Sequence, residues 1–394
     1  MSVKRVVCYA YGIWWKDSTN IKQSRTLLTI QRPAALRITR AYRTVSTETA
    51  LVLAGLLPLP LVVSQEATFY RTTVEGIEAK HCNQMYPARP RRLADVLKVP
   101  PAHRIRLDWD VGEPTGIGVE IYTDGSKDGS LVGAAYCVYS SGVLVYYQSA
   151  RLNEEASMFQ AELVALAGTS QWILLHPGPE PITVYSDSQS SLQALSDRYH
   201  RDELVQEIRG RVLRARHERH VALRWVRGHI GIPGNERADQ LAKAGARGPF
   251  VTRTVEPSAT YIKGTLLQRS MKSWQESWTL STVGRSTYAF VPDVGLTPVS
   301  CCRLLTQILT RHGRFPHFTS IFGQGDGCCS CGCPRGDARH YVLDCPFTED
   351  FCQGAGQVDW SKPPEQVLRT LAASKGNLMK LKDLMVKVMD LFDL

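Results

Sequence analysis

Asp124, in "IYTDGS", ends an apolar, β-branched run, and Asp187, in "PITVYSDSQSS", ends a second one. A carboxylate in such a place is costly unless it is paired or bound to a cation. Glu162 lies beside the apolar stripe of "NEEASMFQAELVALAGT", and Asp239 adjoins the packed face of "NERADQLAKAGA". Taken singly, each acid reads as a turn former, a cap or a solvated residue. Taken together they bring four carboxylates to one end of one sheet, an arrangement that is stable only when protons or divalent cations neutralise it. Mg²⁺ suits an all-oxygen site and keeps waters for chemistry. Two such ions roughly 3.5–4 Å apart can activate a water on one side of a phosphodiester and stabilise the leaving oxygen on the other. His229, in the glycine-rich "RGHIGIPGN", adds a side chain that exchanges its proton near neutral pH, on a loop with the freedom to move over a site.

Positioning these groups calls for an alternation of strands and helices. Val119, Ile121 and Tyr122 form one strand, and Ala134–Tyr139 and Val143–Tyr147 form two more, with "DGS" and "SSG" as the turns between them. Phe159, Leu163 and Leu166 mark an amphipathic helix with Asn153 as its N-cap. Ile182–Tyr185 is a strand followed by a helix, a junction of the kind where α/β sheets collect ligands. "WVRGHIGIPGNERADQLAKAGA" reads as strand, loop and helix, with Trp225 packing the strand. Arg209, Arg211, Arg214 and Arg216 lie on a helix whose apolar face is Leu204, Val205, Ile208 and Val212. They read as a solvated face, or more sharply as contacts to a nucleic-acid backbone.

The chain has 394 residues, of which 43% are hydrophobic and 21% charged, enough to bury a sizeable core across two or three domains. A net charge of +10 makes a polyanionic partner plausible without identifying one. The punctuation divides the chain into a basic helical segment at 1–75, a linker at 76–113, an α/β domain at 114–248, a connection at 249–299, a Cys/His segment at 300–350 and closing helices at 351–394. The apolar run Ala50–Val63 carries two prolines and falls short of the ~20 residues of a membrane span; it reads as a helix end followed by an extended segment. With no signal peptide or membrane segment evident, an intracellular location, cytoplasmic or nuclear, is expected.

Most of the 11 cysteines crowd between Cys301 and Cys352, which favours metal in a reducing compartment over disulfides. In "CCSCGCPRGDARHYVLDCP", Cys328, Cys331, His340 and Cys345 have spacing suited to tetrahedral Zn²⁺, while Cys329 and Cys333 leave open a ligand pair shifted by one or two positions. Such a closed site is structural or binds nucleic acid, and its loss is expected to unfold the tail only. Leu378, Leu381, Leu384, Met385 and Val388 recur at helical spacing and read as packing.

"YTDGS", "MFQAELVAL", "VYSDSQSSLQAL" and "WVRGHIGIPGNERADQLAKAGA", in that order, resemble the type 1 ribonuclease H domain. The resemblance implies a mixed five-stranded sheet flanked by helices and cleavage of the RNA strand of an RNA–DNA hybrid. It further implies Asp124, Glu162, Asp187 and Asp239 as ligands of two Mg²⁺, or Mn²⁺ in their place, and His229 as the catalytic histidine. Ser126, Lys127, Ser188, Gln189, Arg227 and Asn235 are the expected contacts to nucleic acid. The tail, with "LLTQILTRHGRF" before it, is similar to the Cys/His segment at the carboxyl end of non-LTR retrotransposon polyproteins, and "QRPAALRITRAYRTVSTETALVLAGLLPLPL" to the end of their reverse transcriptase. A reverse transcriptase portion elsewhere is then a possible partner, with other nucleic acid bound through the basic surface and tail. No Asp-Asp pair occurs, so polymerase activity is not expected. Two other classes compete with an active hybrid nuclease: an idle nucleic-acid-binding remnant and, less favoured, a DNA strand-transfer enzyme.

Overall fold

The structure, a computed structural model, describes residue 15 and residues 21–89, 105–299, 302–350 and 358–393. The proline-containing middle of the expected linker, 90–104, lies outside them, as do Cys8, Cys301 and Cys352. The chain forms two compact units, one from Arg89–Lys263 and the other from Met1–Ala88 together with Gly264–Leu394.

The first unit is built on six strands: β1 (Asp110–Val111), β2 (Val119–Asp128), β3 (Leu131–Ser140), β4 (Val143–Leu152), β5 (Ile182–Ser186) and β6 (Val221–Trp225). Their order is β1-β6-β5-β2-β3-β4. β2, β3 and β4 pair antiparallel, while β2, β5, β6 and β1 pair parallel, so the sheet is mixed. The sixth strand comes from the expected linker: Asp110 and Val111 pair beside Arg224 and Trp225. Among the described residues four helices pack with this sheet: α1 (Met158–Leu175), α2 (Gln189–Ser196), α3 (Glu203–Arg216) and α4 (Pro233–Ala246).

Helix α1 starts at Ser157 rather than Asn153. Ser157 accepts from the Gln160 N–H and Gln160 reaches back to the Ser157 N–H, a reciprocal capping box. Asn153 instead donates to the Val255 carbonyl at 3.1 Å. On α3, Arg209 is buried and donates to the carbonyls of Leu195 and Ile105, Arg211 pairs with Glu207, and Arg216 donates to the Val221 carbonyl. Arg209 and Arg216 thus tie α3 to neighbouring segments and are no freely solvated face, while Arg211 pairs within its own helix and Arg214 is exposed.

Gly133 fixes how closely α4 approaches the sheet. A Cβ there would lie 2.2 Å from the Ala242 carbonyl oxygen and 2.5 Å from the Ala246 nitrogen, both backbone atoms that cannot step aside. Gly133→Ala is expected to destabilise this unit by about 1–3 kcal/mol. Urea unfolding monitored on the full chain checks it; an unchanged midpoint for this unit would show that helix and sheet do not meet there.

In the second unit the run Ala50–Val63 is helical on both sides of a break. Helix Thr47–Ala54 is capped by Gly55 in the left-handed region, and Leu59–Tyr70 begins with a proline in its first turn, where no N–H is needed. The expected extended segment is therefore helix. Among the described residues no single helix is long and apolar enough to cross a membrane. Residues 79–86, within the expected linker, form a two-stranded antiparallel hairpin. One buried cluster takes Leu51 and Val63 from the N-terminal segment, Trp278 from helix Ala259–Leu280, Cys329, Tyr341 and Cys345 from the Cys/His region, and Leu381 and Val388 from the last helix. Leu378, Leu384 and Met385 are buried as well. The tail is thus no separate piece: it shares its core with the first helices.

Candidate active site and metal centre

Register alone brings two of the acids together. Thr123 on β2 pairs in parallel with Ser186 on β5, so Asp124, midway along β2, and Asp187, the residue after β5, lie side by side; the expected "DGS" turn is strand, and β2 runs on to Asp128. Glu162 arrives from α1, which presses so closely on β2 that a Cβ at Gly125 would lie 2.7 Å from the Glu162 nitrogen. One carboxylate oxygen from each of Asp124, Glu162 and Asp187 lies within 4.8 Å of the others. Asp124 Oδ2 and Glu162 Oε2 are buried and accept no hydrogen bond. Buried, unpartnered anionic oxygens converging on one point are what a hard divalent cation requires, so the residues fit such an ion.

Burial, with Asp187 and Asp239 nearby, pushes Asp124 up from the ordinary 3.8 to about 8. Burial, followed by Asp124 and Asp187, also raises Glu162 well above its ordinary value. A carboxyl with a raised folded-state pKa binds protons more tightly folded than unfolded, so its contribution to stability is lost as pH rises from the unfolded to the folded value. The metal-free unit should therefore lose stability as pH rises between about 4 and 8, and Asp124→Asn should flatten the loss. Thermal melts across this range in both proteins check this, and parallel curves would contradict it.

Asp187 is held by its neighbours. Its side chain accepts from Asn235 Nδ2 at 3.2 Å and its carbonyl from Trp225 Nε1 at 2.9 Å. Asn235 is buried, which removes it from the expected nucleic-acid contacts and makes it a positioning residue. Trp225 does more than pack a strand, since its indole fixes the chain at Asp187. Lys127 donates to the carbonyls of Glu154 and Ala156, so its ammonium ties β2 to the loop before α1. Ser188 bonds Ser190 and Ser191. Gln189 and Arg227 are exposed, and Ser126 is half-buried.

Asp239 stands apart from the triple and groups instead with His229 and Glu236, again with ligand atoms within 4.8 Å. Its charge still acts on Asp124. Its carboxylate also accepts from Lys243 Nζ at 2.8 Å, one helical turn on. His229 is exposed with φ at 56°, in the left-handed region. No sequence motif singles out Glu236 or Lys243. Their spacing from Asp239, three residues before and four after, is the signal that places all three on one face of α4.

The second cluster lies in the Cys/His region. Ligand atoms of Cys329, Cys331, His340 and Cys345 all lie within 4.8 Å of one another. Cys331 Sγ is 3.3 Å from His340 Nε2, and Cys329 Sγ is 3.8 Å from Cys345 Sγ. Asp337 caps the helix Ala338–Leu343 by accepting from the His340 N–H, which sets the imidazole. Cys329 therefore takes the place expected of Cys328. The cause is local: the Cys328 N–H donates to Asp326 Oδ1 at 2.8 Å and its thiol turns to the Asp326 carbonyl, whereas the Cys329 backbone closes a turn with Gly332 and Cys333 and buries its sulfur. Three sulfurs and one imidazole fit tetrahedral zinc.

Residues 117–247 match the RNase H family model, and the mixed sheet with its carboxylate cluster agrees with that match. This part of the chain is a ribonuclease H domain. It is homologous to the corresponding region of retrotransposon and retroviral Pol polyproteins. One relative is the Retrovirus-related Pol polyprotein from type-1 retrotransposable element R1 of Bradysia coprophila, 32% identical over 99 residues, which are 24% of this chain and 10% of the relative. Another is the Pol polyprotein of caprine arthritis encephalitis virus, 30% identical over 135 residues, 32% of this chain and 11% of the relative. The Ribonuclease H of Pseudomonas putida is 76% identical over 25 residues, 6% of this chain and 17% of that protein. The chain thus spans about a tenth of the length of the Pol polyproteins it matches.

Proposed function

We propose that the α/β unit hydrolyses the RNA strand of RNA–DNA hybrids, as part of a retrotransposon-type polyprotein. The observation that carries the reading is the convergence of Asp124, Glu162 and Asp187 with two buried carboxylate oxygens left unpartnered. When bound, two Mg²⁺ ions would supply an activated water and stabilise the leaving oxygen. The chain's own residues do the rest. Asp124, Glu162 and Asp187 would hold one cation, and Asp239 with Glu236 would help to hold a second. Asn235 and Trp225 orient Asp187. His229, beside Glu236 and Asp239, moves a proton at its imidazole or helps the product depart. Ser126, Gln189 and Arg227 meet the hybrid backbone. A labelled hybrid, duplex RNA and duplex DNA, each with and without Mg²⁺, test this on gels: cleavage of the hybrid's RNA in Mg²⁺ alone is expected, and an intact hybrid would refute it.

His229→Ala should slow turnover by about 10²–10⁴-fold without abolishing it, the usual range for acid–base assistance. Single-turnover rates at neutral pH decide this, and a wild-type rate removes His229 from the mechanism. We further propose that Cys329, Cys331, His340 and Cys345 hold one Zn²⁺ with a structural role, since four protein ligands leave no open position. Free thiols poised for metal suit a reducing, intracellular setting.

A further inference from the structure

Four aromatic rings run together on one surface of the second unit. His312 stacks on Phe318 with centroids 4.7 Å apart, Tyr42 lies 6.1 Å from Phe318, and Phe322 meets Phe318 edge-on at 5.3 Å. The row is open to solvent at its end, where Ile321 is 67% and Phe322 60% exposed. It is also fixed from below. Phe315 is buried, the His317 N–H donates to the Gly336 carbonyl, and the Gly336 N–H donates to the Gly327 carbonyl, tying the short helix Pro316–Ser320 to the loop of the Cys/His cluster. Thr44 bonds His312 Nδ1 at 2.9 Å, joining the two chain segments that build the surface.

Charge decides what would cover these rings. The Arg303 guanidinium sits 5.4 Å from the Tyr42 ring centroid. Arg40, Arg43 and Arg314, each within two residues of Tyr42 or His312, are exposed. Within segments 21–47 and 302–325 every charged residue is basic, and the acids nearest in sequence, Glu48 and Asp326, lie at their ends. A protein partner would have to bring its own acids to such a surface, whereas a polynucleotide brings a phosphate with every base. Phe322 is exposed and backed by the half-buried rings of Phe318, His312 and Tyr42; an open aromatic ring flanked by arginines is the combination that binds single strands without reading sequence.

We propose that Tyr42, His312, Phe318 and Phe322, with Arg43, Arg303 and Arg314, form a stacking platform for single-stranded nucleic acid. The platform is separate in role from the carboxylate site and goes beyond hybrid hydrolysis. It would hold an unpaired strand whether or not the ribonuclease H domain turns over.

The test is fluorescence anisotropy of a labelled oligo(dT) 20-mer with the full chain, zinc present and Mg²⁺ omitted, across a salt series. Phe322→Ala should weaken binding about ten-fold with the salt slope unchanged, because stacking is lost and no phosphate contact is. Phe322→Trp should restore it. Arg43→Ala with Arg303→Ala should instead make the slope shallower by about 1.4, two single-strand contacts' worth. Cleavage of a short hybrid in Mg²⁺ should stay at the wild-type rate in Phe322→Ala, which keeps this result independent of the nuclease reading. Wild-type affinity in Phe322→Ala would overturn the proposal. So would failure of the wild type to bind the oligonucleotide at low salt, which would leave a protein partner as the occupant.

Discussion

Asp124→Asn should reduce cleavage of an RNA–DNA hybrid to background in Mg²⁺, and Asp187→Asn should do the same. Both positions follow directly from strand register, so their oxygens are set by backbone pairing that a change of one atom leaves alone. An amide cannot supply the anionic oxygen that a hard cation needs. Losing even a group that only supports a metal ligand typically costs 10–100-fold, so loss of the ligand itself should exceed about 10²-fold. The same substitution relieves the repulsion of Glu162 and Asp187 and the burial of a charge. Asp124→Asn should therefore melt higher than wild type at pH 9 without divalent cations, with little gain at pH 5, where Asp124 in the wild type is protonated. Lost activity with unchanged or raised stability marks a ligand; lost activity with an unfolded domain would mark a structural residue.

Removing zinc should destabilise the whole of the second unit. Cys329 and Cys345 are buried in the same cluster as Leu51, Trp278 and Leu381, so their release opens a core that the N-terminal helices share. Structural zinc contributes binding free energies of about 10–16 kcal/mol in small domains, comparable to the whole ~5–15 kcal/mol stability of an ordinary domain. Chelation at levels that spare Mg²⁺ should expose Trp278 to solvent and give protease access to 21–89 as well as 302–350. The ribonuclease H domain has its own core and should still cleave a short hybrid. Cys329→Ser and Cys345→Ser should reproduce the effect of chelation, and Cys328→Ser should not. Loss of zinc from Cys328→Ser but not from Cys329→Ser would mean that the ligand set is the one the spacing first suggested.

What could be read in advance follows from how local each cause is. Asp124 and Asp187 are legible because an acid closing an apolar, β-branched run is anomalous within a few residues, even though β2 itself continues past Asp124. The grouping of Asp239 with His229 and Glu236 was not, since it depends on where α4 lies against the sheet. Cys328 and Cys329 are adjacent and give almost the same ligand spacing; a turn closed by Gly332 and Cys333 separates them, and spacing carries no trace of it. Asn235 reads as a nucleic-acid contact because its partner, Asp187, is far away in sequence. Arg209 looked solvated for the same reason, its acceptors lying at Leu195 and Ile105. Ser157 was a nearer miss: "SMFQ" carries the capping pair, but Asn153 offers a competing cap one turn earlier.

Cation binding at the carboxylates can be measured without turnover. Mn²⁺ is titrated into the zinc-loaded chain at pH 7.5 or so, above the usual carboxylate range, and the free ion is followed by its electron spin resonance signal, for wild type, Asp124→Asn and Asp187→Asn. Wild type should deplete the free signal, with tighter binding as pH rises and protons leave Asp124 and Glu162, and both variants should lose that depletion while keeping their zinc. Equal Mn²⁺ binding by all three proteins would contradict the assignment of Asp124, Glu162 and Asp187 as the metal site, and with it the proposed hydrolysis.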